Sequence, residues 1–369
     1  ALYAPAGVLH GTLDLASGGS RLYVEGKPGA QNDARLQLAV ASLADWLPGA
    51  SGRLQGHLVV HGRVPQLGIN GTLQGERLGW RQDRLDHLQL IVGIPDISQP
   101  AGKLDVQGQG LLANGLAFDR LHLLAEGSEA THRLTLDAAG RQLSGRLTRE
   151  GGLRNGAWTG TLGTLDLAPE GLPRWHLQQP TPLAYRNGGW RVGELCLAAG
   201  DPRLCASANQ DAAGTLDASY RLHALPLALV LNAAGLSDLP MRADGTLEGE
   251  GQLTRKADGT LDGHATIHSD SGTITYTDQA DQPLLAYRDL DLQARLAPGN
   301  QRATVHASLD GGGHVDGQVA MSGTDQSLAG HLDVQLDQLG FVELFTSELA
   351  NLKGSLVGRF QVGGTLGSP

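Results

Sequence analysis

Few residues in this chain are of a type and spacing that could carry chemistry. The two cysteines, Cys196 and Cys205, stand in ELCLAAGDPRLCASA. A hairpin turning near Gly200 and Asp201 is symmetric about them and sets them opposite each other, with Cα atoms about 4.5–5.5 Å apart, within disulfide range. A disulfide implies an oxidising compartment; the competing readings are two buried thiols or half of a metal site, for which no histidine pair lies nearby. His57 and His61, and His264 and His268, are four apart. On strands that spacing is about 13 Å, too far for one metal, and solvent-facing histidines are expected. Asp289 and Asp291 fall on one side of a strand and superficially resemble a glycosidase pair. Gly311-Gly312-Gly313 has the look of a phosphate loop, but no GK[ST] follows and no helix begins there, and the spaced aspartates of calcium-binding β-repeats are missing. A parallel β-helix lyase is the enzyme alternative, yet no ladder of acids and bases lines one wall. No enzyme, cofactor or metal is expected.

The elements that must position these residues are strands. Gly354, Leu356, Gly358, Phe360, Val362 and Gly364 alternate with mostly polar residues, and so do Gly52, Leu54, Gly56, Leu58, Val60 and Gly62. The register recurs at Gly313, Val315, Gly317, Val319, Met321 and Gly323, and in shorter form at Leu104 and Val106, at Leu247, and at Leu261 and Ile267. Leu85 and His87 read as one face, with Leu88 turned outward. Period-two alternation marks a sheet with one dry face. Glycines on that face are expected to leave gaps and let strands bend. The fold class expected is all-β: an elongated, curved, repetitive sheet forming a U-shaped groove, with a few short helices.

Composition agrees. Glycine is 53 of 369 residues, about twice its usual share, while aromatics are 4% and charged residues 18%. Leucine and valine therefore carry the interior, which suits a thin single-layer sheet better than two or three ordinary cores. A net charge of −10 without a basic run speaks against nucleic acid and against electrostatic docking on an anionic membrane. No segment approaches the roughly 20 apolar residues of a membrane helix. The chain begins at Ala1 and ends just after a repeat, and it reads as a piece of a longer protein, with any anchor outside it.

Along the chain, residues 1–41 read as three or four strands with turns at Gly18-Gly19 and Lys27-Pro28-Gly29. Ser42–Pro48 reads as one or two helical turns capped by Ser42, His223–Ser237 as a second helix with a strand through Leu227–Leu231 as runner-up, and Leu339–Leu349 as a third. Two of these helices lead into a repeat strand in the same way, an internal repeat. Residues 1–369 are expected to form one continuous β-groove segment with an irregular break near 164–185. About 25 strands at about 4.8 Å would extend on the order of 120 Å.

LGFVELFTSELANLKGSLVGRFQVGGTLGSP, Leu339–Pro369, strongly resembles the TamB family of Gram-negative bacteria, the inner-membrane subunit of the translocation and assembly module. SLADWLPGASGRLQGHLVVHGRVP, Ser42–Pro65, is similar to its recurring unit, as is the stretch around Cys196 and Cys205 followed by Leu225, Pro226 and Leu227. The resemblance implies a periplasmic protein held in the inner membrane by a segment absent here, the outer-membrane barrel TamA as partner, and a place in the middle of the chain before a C-terminal domain. It also implies kinship with AsmA-like bridge-forming proteins that carry phospholipid between membranes and support outer-membrane protein assembly. Acyl chains would then lie on Leu54, Leu58, Val60, Leu104, Val106, Leu247, Leu261, Ile267, Val315, Val319, Met321, Leu332, Val334, Leu356, Phe360 and Val362. A closed solenoid would bury the same residues as plain core. A scaffold guiding outer-membrane strands by edge pairing is the alternative function.

Overall fold

Alternating short-range pattern and frequent turn residues leave this chain little to form except antiparallel strands, and the computed structural model is all-β with 23 strands among the described residues. Those residues are 11–27, 32–99, 101–233, 241–276, 279–310, 312–323, 327–336 and 354–365. The chain divides into two units, Ala1–Ala184 and Tyr185–Pro369.

In the first unit the strands are β1 (Gly11–Ser17), β2 (Ser20–Lys27), β3 (Asn32–Val40), β4 (Ala50–Arg63), β5 (Gln66–Trp80), β6 (Asp83–Asp96), β7 (Ala101–Ala113), β8 (Leu116–Ser128), β9 (His132–Ala139), β10 (Leu143–Arg154), β11 (Ala157–Pro169) and β12 (Trp175–Leu177). Each pairs antiparallel with the next. β13 (Thr181–Arg186) spans the division. The second unit holds β14 (Gly189–Ala198), β15 (Arg203–Gln210), β16 (Leu216–Pro226), β17 (Met241–Arg255), β18 (Leu261–Tyr276), β19 (Gln279–Ala297), β20 (Asn300–Leu309), β21 (Gly313–Ser322), β22 (Ser327–Leu336) and β23 (Leu356–Val362), again paired in sequence order.

Directly paired residues share a face, so the register shows which side chains line up. In the first unit one lane runs from Leu13 through Val24, Leu36 and Leu58, crosses Gly71, and continues through Val92, Leu104, Ala125 and Leu134. The adjacent lane carries Leu73, Leu90, Val106, Leu123, Leu136 and Leu147. In the second unit a lane passes from Leu222 over Gly249 to Ile267, Leu292 and Val305, then over Gly317 to Leu332 and Phe360.

The helical expectations fare unevenly. Ser42–Pro48 supplies a single 3-10 turn, Leu43–Asp45, and the Ser42 side chain makes no capping bond. His223–Ser237 contributes strand to Pro226 and then a short helix, α1 (Leu227–Ala233), so the strand reading of Leu227–Leu231 is replaced by helix. Leu339–Leu349, the Lys27-Pro28-Gly29 turn from Pro28 onward, and Gly311 lie outside the described residues.

Bends are not left to glycine alone. Gly52 (φ +101°) faces Arg77 (φ +50°) at a register shift between β4 and β5, and a Cβ on Gly52 would stand 2.5 Å from the Arg77 carbonyl oxygen. Only glycine permits so close an approach. In the second unit Ala224 (φ +47°) and Asp289 (φ +52°) sit at comparable shifts. The first of these bends corrects the reading of Leu88. It pairs with Gly75 and Gly108 on the apolar face, whereas His87 pairs with Glu76 and Gln109 on the polar one.

Candidate functional site

Among the described residues the strands pair edge to edge with strands near them in sequence, and side chains of the apolar lanes stay exposed. Among the described residues few large apolar groups are fully buried, whereas Leu13, Leu15, Leu292, Leu356 and Phe360 are exposed. A closed, tightly meshed interior would give the opposite result.

The register places the sixteen residues named above as acyl contacts as follows. Leu54, Leu58 and Val60 pair with Val40, Leu36 and Ala34, and Leu104 and Val106 with Val92 and Leu90. In the second unit Leu261 pairs with Arg255, Ile267 with Gly249, Val315 with Val334, Val319 with Gly330, Leu332 with Phe360, Val362 with Gly330 and Leu356 with Leu336. Met321 pairs with Leu328. Most of the sixteen are partly exposed, and Phe360 is 52% exposed. Leu247 differs: it pairs with Leu225, and both are buried, on the strands against which α1 packs. A cavity of 380 Å³ opens on the face of the second unit, lined by Ile267, Leu292, Ala294, Val305, Val319 and Leu332 among others.

The glycines on this face do not leave empty gaps, contrary to the expectation from sequence. A Cβ on Gly317 would meet Leu332 Cδ1 at 2.8 Å and Val305 Cγ1 at 2.9 Å, so neighbouring side chains lean into the vacated space.

The opposite face is polar and laced with cross-strand ion pairs. Arg53 meets Glu76, Arg133 meets Glu150, and Arg359 holds Asp333 at 2.5 Å, each pair in direct register. The Arg359 guanidinium beside Asp333 holds its carboxyl below the usual carboxylate range. His57, His61 and His264 are exposed here, His57 Nδ1 lying 3.2 Å from Thr72 Oγ1. Asp289 sits at a bend, while Asp291 is tied to His268, so the two carboxylates do not face a common reacting point.

Cys196 and Cys205 pair in register across β14 and β15 and are joined by a disulfide. Glu194 lies close to both sulfurs. Sulfurs bonded to each other offer a metal no thiolate, so the half-site reading gives way to the disulfide.

Alternation alone misses one group. Arg149 occupies the apolar face, in register with Leu134 and Leu162, where a leucine is expected. Its guanidinium lies over the Trp158 ring, 4.6 Å from the centroid. Trp158 Nε1–H donates to His132 Nε2 at 2.8 Å, and His132 Nδ1–H donates to the Ser128 carbonyl at 3.1 Å. The signal was available in LTREGG, where two charged residues are consecutive and one must enter the dry face.

No solved structure matches the chain. A family model described as "TamB, N-terminal domain" matches residues 8–369, where the resemblance had implied a middle segment. With nearly its whole length matched, and its leucine lanes and strand repeats running through the matched region, the chain belongs to the TamB family.

Proposed function

We propose that the apolar face of each unit carries the acyl chains of phospholipids, as part of a bridge between the inner and outer membranes. The observation that carries this reading is the lane structure. Partly exposed apolar side chains, mostly leucine and valine, follow one another from strand to strand with single glycines between some of them, while ion pairs keep the other face in water. Each methylene leaving an apolar surface for water costs about 0.8 kcal/mol, so a chain of fifteen costs on the order of 12 kcal/mol. A uniform lane removes that cost at every step and holds no deep trap, because leucine, valine and alanine recur with similar depth. No helix among the described residues is long and apolar enough to cross a membrane. The disulfide suits the oxidising periplasm. Anchoring to the inner membrane and contact with the barrel protein TamA belong, in this reading, to other parts of the protein, and outer-membrane protein assembly is supported through lipid supply.

The test replaces Leu58, Val319 and Phe360 with Asp, one per variant. Photoactivatable diacyl phospholipid is crosslinked to each, and co-purified lipid is measured by mass spectrometry of organic extracts. Loss of labelling and of extracted lipid with an unchanged β-sheet circular dichroism spectrum is expected. Undiminished lipid in all three variants would sink the reading and leave a scaffold that guides barrel strands by edge pairing.

A further inference from the structure

Arg149 is an expensive residue to place where it is. A guanidinium among leucines loses hydration that only an anion or several acceptors replace. Among the described residues it has no ion pair and no hydrogen bond, and its Nε is buried without a partner. The nearest carboxylate along the strand, Glu150, points to the other face and is held by Arg133.

The surroundings hold the cation in place. The Trp158 indole lies over two glycines: a Cβ on Gly151 would come 2.4 Å from Trp158 Cζ2, and one on Gly160 2.6 Å from Trp158 Cη2. The ring therefore fills a slot that any side chain would close. It is fixed at its nitrogen by His132, which is itself fixed by the Ser128 carbonyl, with the two rings stacked at 6.1 Å. Because His132 Nε2 accepts and Nδ1 donates, the imidazole in this arrangement is neutral and adds no second cation. The result is one positive charge on an aromatic platform, aimed at a dry face.

Its position on the strand matters. His132 begins β9, and Gly151, its register partner, lies one row nearer the β10–β11 turn than Arg149. The cation therefore stands one row in from the start of β9 and two rows in from the β10–β11 turn, behind Gly151 and Leu153. Leu134 and Ala125 continue the row of Arg149 itself across β9 and β8, and Leu147 and Leu136 form the next row inward. An anion at Arg149 thus has water beside it and an apolar track ahead of it.

We propose that Arg149, seated on Trp158, binds the phosphate of a phospholipid whose acyl chains lie along the adjoining leucine lanes. The proposal rests on the lipid-carrying reading given above and adds to it a station at which head group and chains are both engaged. A guanidinium gives a phosphate two parallel hydrogen bonds, and with Nε buried the two terminal Nη groups are the donors suited to it.

The test uses the whole chain and two photoactivatable lipids with identical acyl chains, phosphatidylglycerol and diacylglycerol, with crosslinked peptides mapped by mass spectrometry. In the native protein phosphatidylglycerol is expected to label β9–β11 about tenfold more than diacylglycerol. Arg149→Leu, which completes the leucine lane, is expected to abolish that preference while leaving diacylglycerol labelling intact, and Arg149→Lys to keep part of it. Equal labelling by the two lipids in the native protein overturns the head-group site but leaves the groove standing. Absence of labelling by both sinks the groove reading itself. Binding of inorganic phosphate alone, seen by phosphorus NMR and lost in Arg149→Leu, with no preference between the lipids, would mark a free-anion site and overturn the proposal.

Discussion

His268 and Asp291 stand directly opposite each other on β18 and β19, with Nδ1 and Oδ1 3.0 Å apart, and the same imidazole reaches Asp270 through Nε2 at 2.8 Å. The row continues on the same face: Asp291 pairs with His306, and His306 Nδ1 lies 2.6 Å from Asp316 Oδ1. Acid and imidazole thus alternate across four strands of the second unit.

This row makes stability depend on pH. Asp270, and then Asp291, raise the His268 pKa, and Asp316 does the same for His306. A folded pKa above the unfolded value means that the stabilisation is fully present below the unfolded pKa of about 6.5 and is lost as pH rises through the folded one. The groups are well exposed, so the effect is modest and weakens with salt. The urea midpoint of the native chain should exceed that of His268→Gln/His306→Gln below the unfolded pKa, at about pH 6, and the two should converge as pH rises through the raised folded values. A gap that stays constant over that range would show that the imidazoles do not contribute through their charge.

The disulfide closes a hairpin whose cysteines are nine residues apart. Loop-closure entropy for so short a ring amounts to about 2–3 kcal/mol. Reduction, or Cys196→Ser with Cys205→Ser, should lower the unfolding midpoint of the second unit accordingly, followed by hydrogen exchange of β14 and β15. The first unit should exchange as before. Thiol titration of the native chain without reductant should find no free sulfhydryl.

Much of this was legible in the sequence because a strand exposes its period directly. Gly52 to Gly62 and Gly313 to Gly323 declare their faces residue by residue. The cysteine pairing followed from symmetry about Gly200-Asp201. The misses share one cause. Leu88 was assigned to the wrong face because a bend at Arg77 and the strands beside it resets the alternation, and no local residue pattern marks an arginine at φ +50°. Leu247 reads like its neighbours, yet it is buried on the strand that α1 contacts, a tertiary fact. Arg149 breaks the pattern in plain view, but its meaning depends on Trp158 and His132, which register rather than sequence distance brings to it.

The glycines give a last test, since sequence and structure assign them different roles. If they left free space on the apolar face, adding a methyl group would be harmless or even stabilising. In the structure Gly317 is roofed by Leu332 and Val305, within 3 Å of where a Cβ would sit, while Gly363 has nothing within 4 Å and no positive φ. Overpacking costs about 1–3 kcal/mol. Gly317→Ala should therefore lower stability by about that amount, measured by urea unfolding, and Gly363→Ala should leave it unchanged within about 0.5 kcal/mol. Gly317→Ala also lifts Leu332 away from the sheet and into the cavity beside Ile267 and Val319, so phospholipid labelling there should fall. A stable Gly317→Ala with unchanged labelling would restore the glycines as the source of open space and remove neighbour packing from the account.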